Sequence, residues 1–131
     1  MTSWHELGSF IRANYPVAEE TAERFVLVFR ISITGDRTQV LHVAEQSAIN
    51  GEEWAHIVSP VGRFGEFDIE RLLGELGDSG RGGLAMLGDK VVIRHSIHLP
   101  SFDVSAFGTA MSLVAMQADF AELRFVGGDE F

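Results

Sequence analysis

The sequence predicts an α+β fold, a two-layer domain in which helices pack on an antiparallel sheet in the order α-β-β-β-α-β-β-α. Near both ends of the chain, apolar residues recur at the spacing of amphipathic helices, and between the ends they alternate as in half-buried strands. Asn50-Gly51 and Gly88-Asp89 are tight hairpin signals that join neighbouring strands. The sheet is therefore expected to be antiparallel with helices on it.

The first helix is expected to begin at Ser3, because Ser3 and Glu6 fit a capping box that satisfies free amides of the first turn. It should end before Pro16, since the residue that precedes a proline disfavours the helical conformation. Its apolar stripe consists of Trp4, Leu7, Phe10 and Ile11. The acidic segment 17–23 that follows is expected to be a connector or a single helical turn.

Residues 24–33, 38–49 and 53–61 are expected to form the first three strands. On the first of them, Phe25, Leu27 and Phe29 lie on a fully apolar face. The second and third strands meet at Asn50-Gly51, a pair that tolerates the positive φ angles of a type I′ turn. Pro60 and Gly62 are expected to end the third strand.

Asp68 should cap a short second helix that ends at Gly77, before a flexible loop over residues 78–83. Residues 83–87 and 90–99 then form a hairpin, and a long third helix, capped by Ser101 or Asp103, runs to about Phe125. This helix has two apolar stripes, of which the first is Phe107, Met111, Val114, Ala118, Ala121 and Phe125, and the second is Leu113, Met116, Phe120 and Leu123. A helix that is apolar on two sides must be covered twice.

The first strand and the last helix are more apolar than a lone domain of this size requires, which predicts a partner surface and most simply a homodimer. The candidate residues are Phe25, Leu27, Phe29, Leu113, Met116, Phe120 and Leu123. A tightly packed monomer is the alternative. The sequence also leaves open whether the three residues of the first strand belong to the core or to a platform for a bound peptide.

Composition narrows the function classes. The chain has 131 residues, 19 acidic against 10 basic residues, a formal net charge of −9 and no cysteine. Its length predicts a single domain over residues 1–131. The negative charge disfavours nucleic acid and anionic membranes as partners, and without cysteine there is no disulfide or thiolate zinc site. With no signal-peptide pattern and no long apolar run, a soluble, cytoplasmic protein is expected.

Three short motifs resemble motifs of known enzymes or nucleotide-binding proteins. Gly127-Gly128-Asp129-Glu130-Phe131 is the pentapeptide that names the diguanylate cyclases, and the resemblance implies a nucleotide-linked enzyme as an alternative function. Here the string follows a long helix, so a flexible acidic tail over residues 127–131 is favoured.

Residues 77–80 resemble the nucleophile string of chymotrypsin-like proteases in a chain too short for that fold. Residues 80–85 match a dinucleotide fingerprint with the helix and strand in inverted order. We therefore expect no catalytic residue and no cofactor.

The histidines do not predict a metal site. His95 and His98 are three residues apart on a strand and point to opposite faces, and His95 falls in the apolar set, as a core or interface histidine would. His42 and His56 lie on facing strands and are cross-strand neighbours if the register places them on one face. Without a converging acid such a pair is a poor zinc site. Five acids are expected to be solvated surface: Glu19, Glu20, Glu23, Glu52 and Glu53.

Element order and local phrases also give the chain a family resemblance. Residues 54–62 look like the exit of the third strand, residues 83–95 like the second hairpin, and the Ala118-Asp119 pair like one often found in the final helix of YbjN-type proteins. From Trp4 to Phe125 the chain resembles the type III secretion chaperone-like fold, which includes the class I secretion chaperones and the YbjN-type bacterial proteins.

That resemblance implies a non-catalytic homodimer, a chaperone-like or a regulatory protein, that binds an extended peptide of a partner protein in apolar surface grooves. The net negative charge would favour basic clients. A structural subunit of a larger complex is a further alternative.

Overall fold

The computed structural model describes residues 2–30, 37–79 and 83–126, without the side chains of residues 47–49 and 77–79. One layer is a six-stranded sheet in which every neighbouring pair of strands is antiparallel. Helices pack on this sheet and form the other layer. This architecture confirms the predicted α+β class.

The described part of the chain contains three α-helices, α1 (Trp4–Asn14), α2 (Ile69–Ser79) and α3 (Phe107–Ala121). Its strands are β1 (Val17–Glu20), β2 (Arg24–Arg30), β3 (Thr38–Ile49), β4 (Glu52–Arg63), β5 (Gly83–Leu87) and β6 (Lys90–His98). Short 3₁₀ turns over Leu99–Ser101 and Val104–Ala106 lead from β6 into α3, and a π-helical turn over Glu122–Val126 extends α3. The order across the sheet is β1-β2-β3-β4-β6-β5.

Local signals in the sequence set several of these boundaries. Ser3 caps α1, because its Oγ accepts the N–H of Glu6 at 3.1 Å. Asp68 does the same for α2, where its carboxylate accepts the N–H of Arg71 at 3.2 Å. Asn50 and Gly51 have φ angles of 54° and 76°, so the hairpin between β3 and β4 has the positive φ values expected of a type I′ turn.

The segment 17–23 was predicted as a connector, and that prediction is wrong. Val17–Glu20 forms the edge strand β1, which pairs with β2 through a bulge. The prediction failed because this strand buries little and therefore shows no apolar alternation. β1 supplies hydrogen-bond partners for the backbone groups of β2. Without β1, the strand β2 would be the edge of the sheet.

Element ends account for three further corrections. β4 does not stop at Pro60 and Gly62 but continues to Arg63. The pairing with β6 shifts register at a bulge between Pro60 and Gly62, and a strand can accommodate a proline at such a bulge. Gly77 is not a C-cap, since α2 runs through it to Ser79. Asp103 caps the second 3₁₀ turn, and α3 itself begins only at Phe107. The end of the predicted first strand at 31–33, the loop residues 80–82 and the predicted acidic tail 127–131 lie outside the described residues.

The core lies between the helices and one face of the sheet. The strands supply mainly Phe25, Leu27, Leu41, Val43, Ala55, Ile57, Ile93 and Ile97, and the helices supply Leu7, Ile11, Leu72, Phe107, Met111, Val114, Ala118 and Ala121. Each large side chain of this kind stabilises the fold by about 1.5–3 kcal/mol when it is fully buried. The first stripe of α3 is thus buried as predicted, with Phe125 packed at its margin.

A buried ion-pair cluster ties the end of α3 to the sheet. Arg37, which precedes β3, donates through Nε to Oδ1 of Asp119 at 2.9 Å, and its Nη2 lies 3.8 Å from Oε1 of Glu122. Both carboxylates are buried, and Glu122 is 0% exposed. Because a buried carboxylate is unfavourable without a partner, the guanidinium stabilises α3 in this position.

We expect Arg37→Met to lower the free energy of unfolding by about 3 kcal/mol, because it removes the cation from two buried carboxylates. Urea denaturation measures the change. Arg71→Met, at an exposed arginine of α2, is the matched control and should lower it by less than about 1 kcal/mol. Equal effects of the two substitutions would show that the cluster does not hold α3.

Candidate functional site

The predicted partner surface divides into a buried and an exposed part. Phe25 and Leu27 are each 1% exposed and belong to the core, so they form no platform for a peptide. The physical reason is that α1 covers this face of β2, with the rings of Trp4 and Phe25 5.6 Å apart. Phe29 is half-buried and stacks on Tyr15 at 6.1 Å between ring centroids. The three β2 residues of the predicted partner surface therefore belong to the core or pack against it.

The outer face of α3, formed by Leu113, Met116, Phe120 and Leu123, is exposed. Met116 and Phe120 are 58% and 57% exposed. The four residues follow one another at intervals of three, four and three, which is the spacing of a helix–helix seam. Asp119 is the one charged residue between 107 and 121, and it is turned inward to Arg37. From Leu113 to Leu123 the face is thus apolar and carries no carboxylate, and the one charge beside it is the guanidinium of Arg124, 6.0 Å from the centre of the Phe120 ring.

A second exposed apolar surface lies where α2 meets β5. Phe64, Leu73 and Met86 are more than half exposed and border a cleft of about 160 Å³ that Ile69 and Leu84 also line. β5 is an edge strand of the sheet, and its five residues carry no charge. An uncharged, apolar edge of this kind is suited to pair with an extended peptide.

The face of the sheet that points away from the helices carries a groove of about 310 Å³. Its floor is apolar and consists of Ala44, Val58, Pro60 and Val92, while Arg24, His42, His56, Leu87 and Lys90 form its walls. The register explains the arrangement, because His42 lies opposite Val58 and His56 lies opposite Ala44. The two imidazoles are therefore diagonal neighbours on one face, as the sequence allowed.

The pKa values of both imidazoles are lowered from the ordinary value of 6.5. Burial has the largest effect on the pKa of His42, Arg24 and Lys90 lower it further, and Glu19 acts in the opposite direction. Burial also dominates the lowered pKa of His56, followed by the charge of Arg94. Both side chains are consequently neutral at pH 7.

Arg94 lies directly against His56. Its Nη2 is 3.2 Å from Nδ1 of His56, and its Nε is buried without a hydrogen-bond partner. Within residues 2–30, 37–79 and 83–126, neither Arg94 nor Arg24 forms an ion pair with a carboxylate. The groove thus has a positive local charge although the chain as a whole is acidic.

His95 does not lie in the core, so the core part of its predicted role is wrong and the interface part stays a prediction. It is exposed because β5 pairs with β6 only as far as Arg94, so the rest of β6 borders solvent. No sequence signal gave the length of β5 relative to that of β6.

His98 lies in a hydrogen-bonded chain that the sequence did not reveal. Its Nδ1 lies 2.7 Å from Oγ of Ser101, and its Nε2 contacts the carboxylate of Glu52. Serine, histidine and an acid are the residue types of a hydrolytic triad, in which the acid binds Nδ1 and the serine binds Nε2. The arrangement here is the reverse, and Ser101 also donates to the carbonyl of His98 within the same turn. We interpret these contacts as structural, because they join the end of β6 to the start of β4, next to the β3–β4 turn.

Among the described residues, no group of three histidine, aspartate or glutamate side chains is placed to hold a metal ion. No helix in the same part of the chain is both long and apolar enough to cross a bilayer. Comparisons with models of known protein families and with curated proteins find no match to this chain. The resemblance to the type III secretion chaperone-like fold therefore stays a prediction.

Lowered histidine pKa values make stability depend on pH. Below about pH 6.5 the unfolded chain binds more protons than the folded one, so the free energy of unfolding should decrease as the pH falls from about 7 to about 5. Urea denaturation across this range should show a smaller decrease for the double variant His42→Gln/His56→Gln. His5→Gln, at an exposed histidine of α1, is the control. The same pH dependence in the double variant as in the wild type would contradict this assignment.

Proposed function

We propose that the protein is a non-catalytic, homodimeric binding module that holds an extended segment of a partner protein, in keeping with its chaperone-like resemblance. One observation carries the proposal: the exposed large apolar side chains of this acidic chain concentrate on two surfaces without a carboxylate, the outer face of α3 and the cleft between α2 and β5. Contiguous exposed apolar surface of this kind marks interaction sites. A cytoplasmic location is part of the proposal and is supported by the cysteine-free composition.

The outer face of α3 is assigned to a second copy of the chain. Its seam spacing suits another helix, and a twofold axis would place Met116 and Phe120 of each copy at the centre of the contact. Each copy has a formal charge of −9, which opposes association at a distance. Because the outer face itself has no carboxylate, two copies can meet there without placing acids opposite one another.

The edge of β5 is assigned to the partner segment. A strand added there would form main-chain hydrogen bonds with β5, and every second side chain would point toward the cleft bordered by Phe64, Leu73 and Met86. Such binding requires apolar side chains at alternate positions of the segment. It requires no catalytic group, which agrees with the reversed geometry at His98.

Met116→Glu is expected to convert the dimer into a monomer, because it places a carboxylate on the seam opposite its twofold copy. The dissociation constant should rise at least about a hundredfold, as measured by sedimentation equilibrium. Val28→Glu adds the same charge at another exposed apolar residue, 49% exposed on β2, and should leave the dimer intact. A wild-type protein that is monomeric at micromolar concentration would refute the dimer.

The intact protein is expected to show no rise in melting temperature when GTP and Mg²⁺ are added, because a binding module of this kind has no nucleotide site. Differential scanning fluorimetry measures this, and a variant that lacks residues 127–131 should melt at the same temperature as the intact chain. A GTP-dependent rise that disappears on truncation would instead support the diguanylate cyclase-like alternative.

A further inference from the structure

The groove on the open face of the sheet has a charge opposite to that of the protein. Acidic residues outnumber basic ones by 19 to 10 in the chain, yet the two charged residues that line this groove, Arg24 and Lys90, are both basic, and Arg94 lies beside His56 in its wall. Glu19 is the one acid among the charges that shift the pKa values of the two imidazoles in the groove. Neither the contact along α3 nor strand pairing at β5 uses this surface.

Half of the eight arginines in the described part of the chain pair with a carboxylate, and the two arginines of the groove do not. Arg12, Arg37, Arg63 and Arg124 each pair with a carboxylate. Arg24 and Arg94 do not pair with any carboxylate in the described part of the chain, and the Nε of Arg94 is buried without an acceptor. A buried donor without a partner is unfavourable by roughly 1–3 kcal/mol, and an anionic ligand that reached it would remove this penalty.

The basic groups flank an extended apolar floor. Arg24 pairs in register with Ala44, which pairs in turn with His56, whereas Lys90 pairs with Arg63 beyond Pro60. From His56 to Pro60 the strand rises about 13 Å. A ligand that reaches basic groups at both ends must therefore be elongated, with apolar groups between its negative charges.

We infer that this groove binds an acidic, extended segment of the partner protein, with apolar side chains on the floor and carboxylates at the basic ends. The inference rests on the proposed function and names the chemistry of the client. Leu87 belongs both to the β5 edge and to the groove, so a segment paired with β5 can continue into it. The aliphatic floor suits apolar side chains, and the formal charge of −9 on the chain opposes the approach of a polyanion, which favours a peptide over a single-stranded nucleic acid.

An acidic client is the opposite of what the net charge alone predicts. Within the groove, the contacting charges are those of Arg24, Lys90 and Arg94, while exposed charges more than about 8 Å away are screened at physiological salt. Local charge therefore governs the bound state, and net charge governs only the long-range approach.

Binding should also depend on pH. His42 is influenced by Arg24 from β2, Lys90 from β6 and Glu19 from β1, and His56 by Arg94 from β6. A carboxylate in the groove favours the protonated imidazoles, so binding takes up protons and becomes tighter as the pH falls.

Fluorescence anisotropy with two labelled peptides tests the inference. One peptide has glutamate at every fourth position with valine and leucine between, and the matched peptide has lysine in place of glutamate. The acidic peptide should bind at least about tenfold more tightly, and more tightly at about pH 5.5 than at about pH 7.5. The double variant His42→Gln/His56→Gln should lose most of this pH dependence.

Substitution of the groove arginines provides the second arm. Arg24→Gln and Arg94→Gln should each weaken binding of the acidic peptide about tenfold, whereas Arg71→Gln on α2 should not change it. Because Arg94 is partly buried, the exposed Arg24 variant keeps the test valid if Arg94→Gln fails to fold. Three results would overturn the inference: equal or tighter binding of the lysine peptide, tighter binding of a single-stranded oligonucleotide, or displacement of the acidic peptide by inorganic phosphate at the same concentration.

Sedimentation of the same samples separates the two proposals. A wild-type dimer that does not bind the acidic peptide overturns the groove and leaves the α3 contact standing. A wild-type monomer that binds the acidic peptide confirms the groove and overturns the α3 contact.

Discussion

A sheet has two faces, and the helices in the described part of this chain cover only one of them. α1 and α3 lie on the apolar face and complete the core. Near its C-terminal end, α3 is joined to the residue before β3 by the ion pair between Asp119 and Arg37. The opposite face must then persist in water, which accounts for its arginine, lysine and histidine side chains around an apolar floor. Because α3 lies on the outside of a two-layer domain, its own back is left uncovered as well.

Local signals made most of the fold predictable. Ser3, Asn50-Gly51 and Gly88-Asp89 each define an element boundary through hydrogen bonding or backbone conformation that depends on few neighbours. β1 was not predictable in the same way, because an acidic edge strand is defined by its pairing with β2 and not by its own pattern. The overrun of α2 past Gly77 shows the same limit, since tertiary context overrides a weak glycine signal.

The candidate site was only partly predictable. The second stripe of α3 could be recognised because apolar residues on two sides of one helix exceed what a single layer covers. The groove could not be recognised from the sequence. His42, His56 and Arg94 come from three different strands, and only the pairing register of the sheet brings them together. The burial of Asp119 and Glu122 was not predicted. Their position beside Ala118 and Ala121, on the buried stripe, is the signal that could have shown them to be inside.

The strand order also determines how the chain can fold. Every neighbouring pair in the sheet is consecutive in sequence except β4 and β6, which are separated by α2 and β5. The meander from β1 to β4 needs only local contacts and can form early, whereas the β4–β6 pairing closes a long loop and is slower. α3 contacts β3, β4 and β6, so all of its contacts with the sheet exist only once β4 and β6 have paired. Its exposed apolar face is therefore held in its final geometry by strands that lie on both sides of the closed loop.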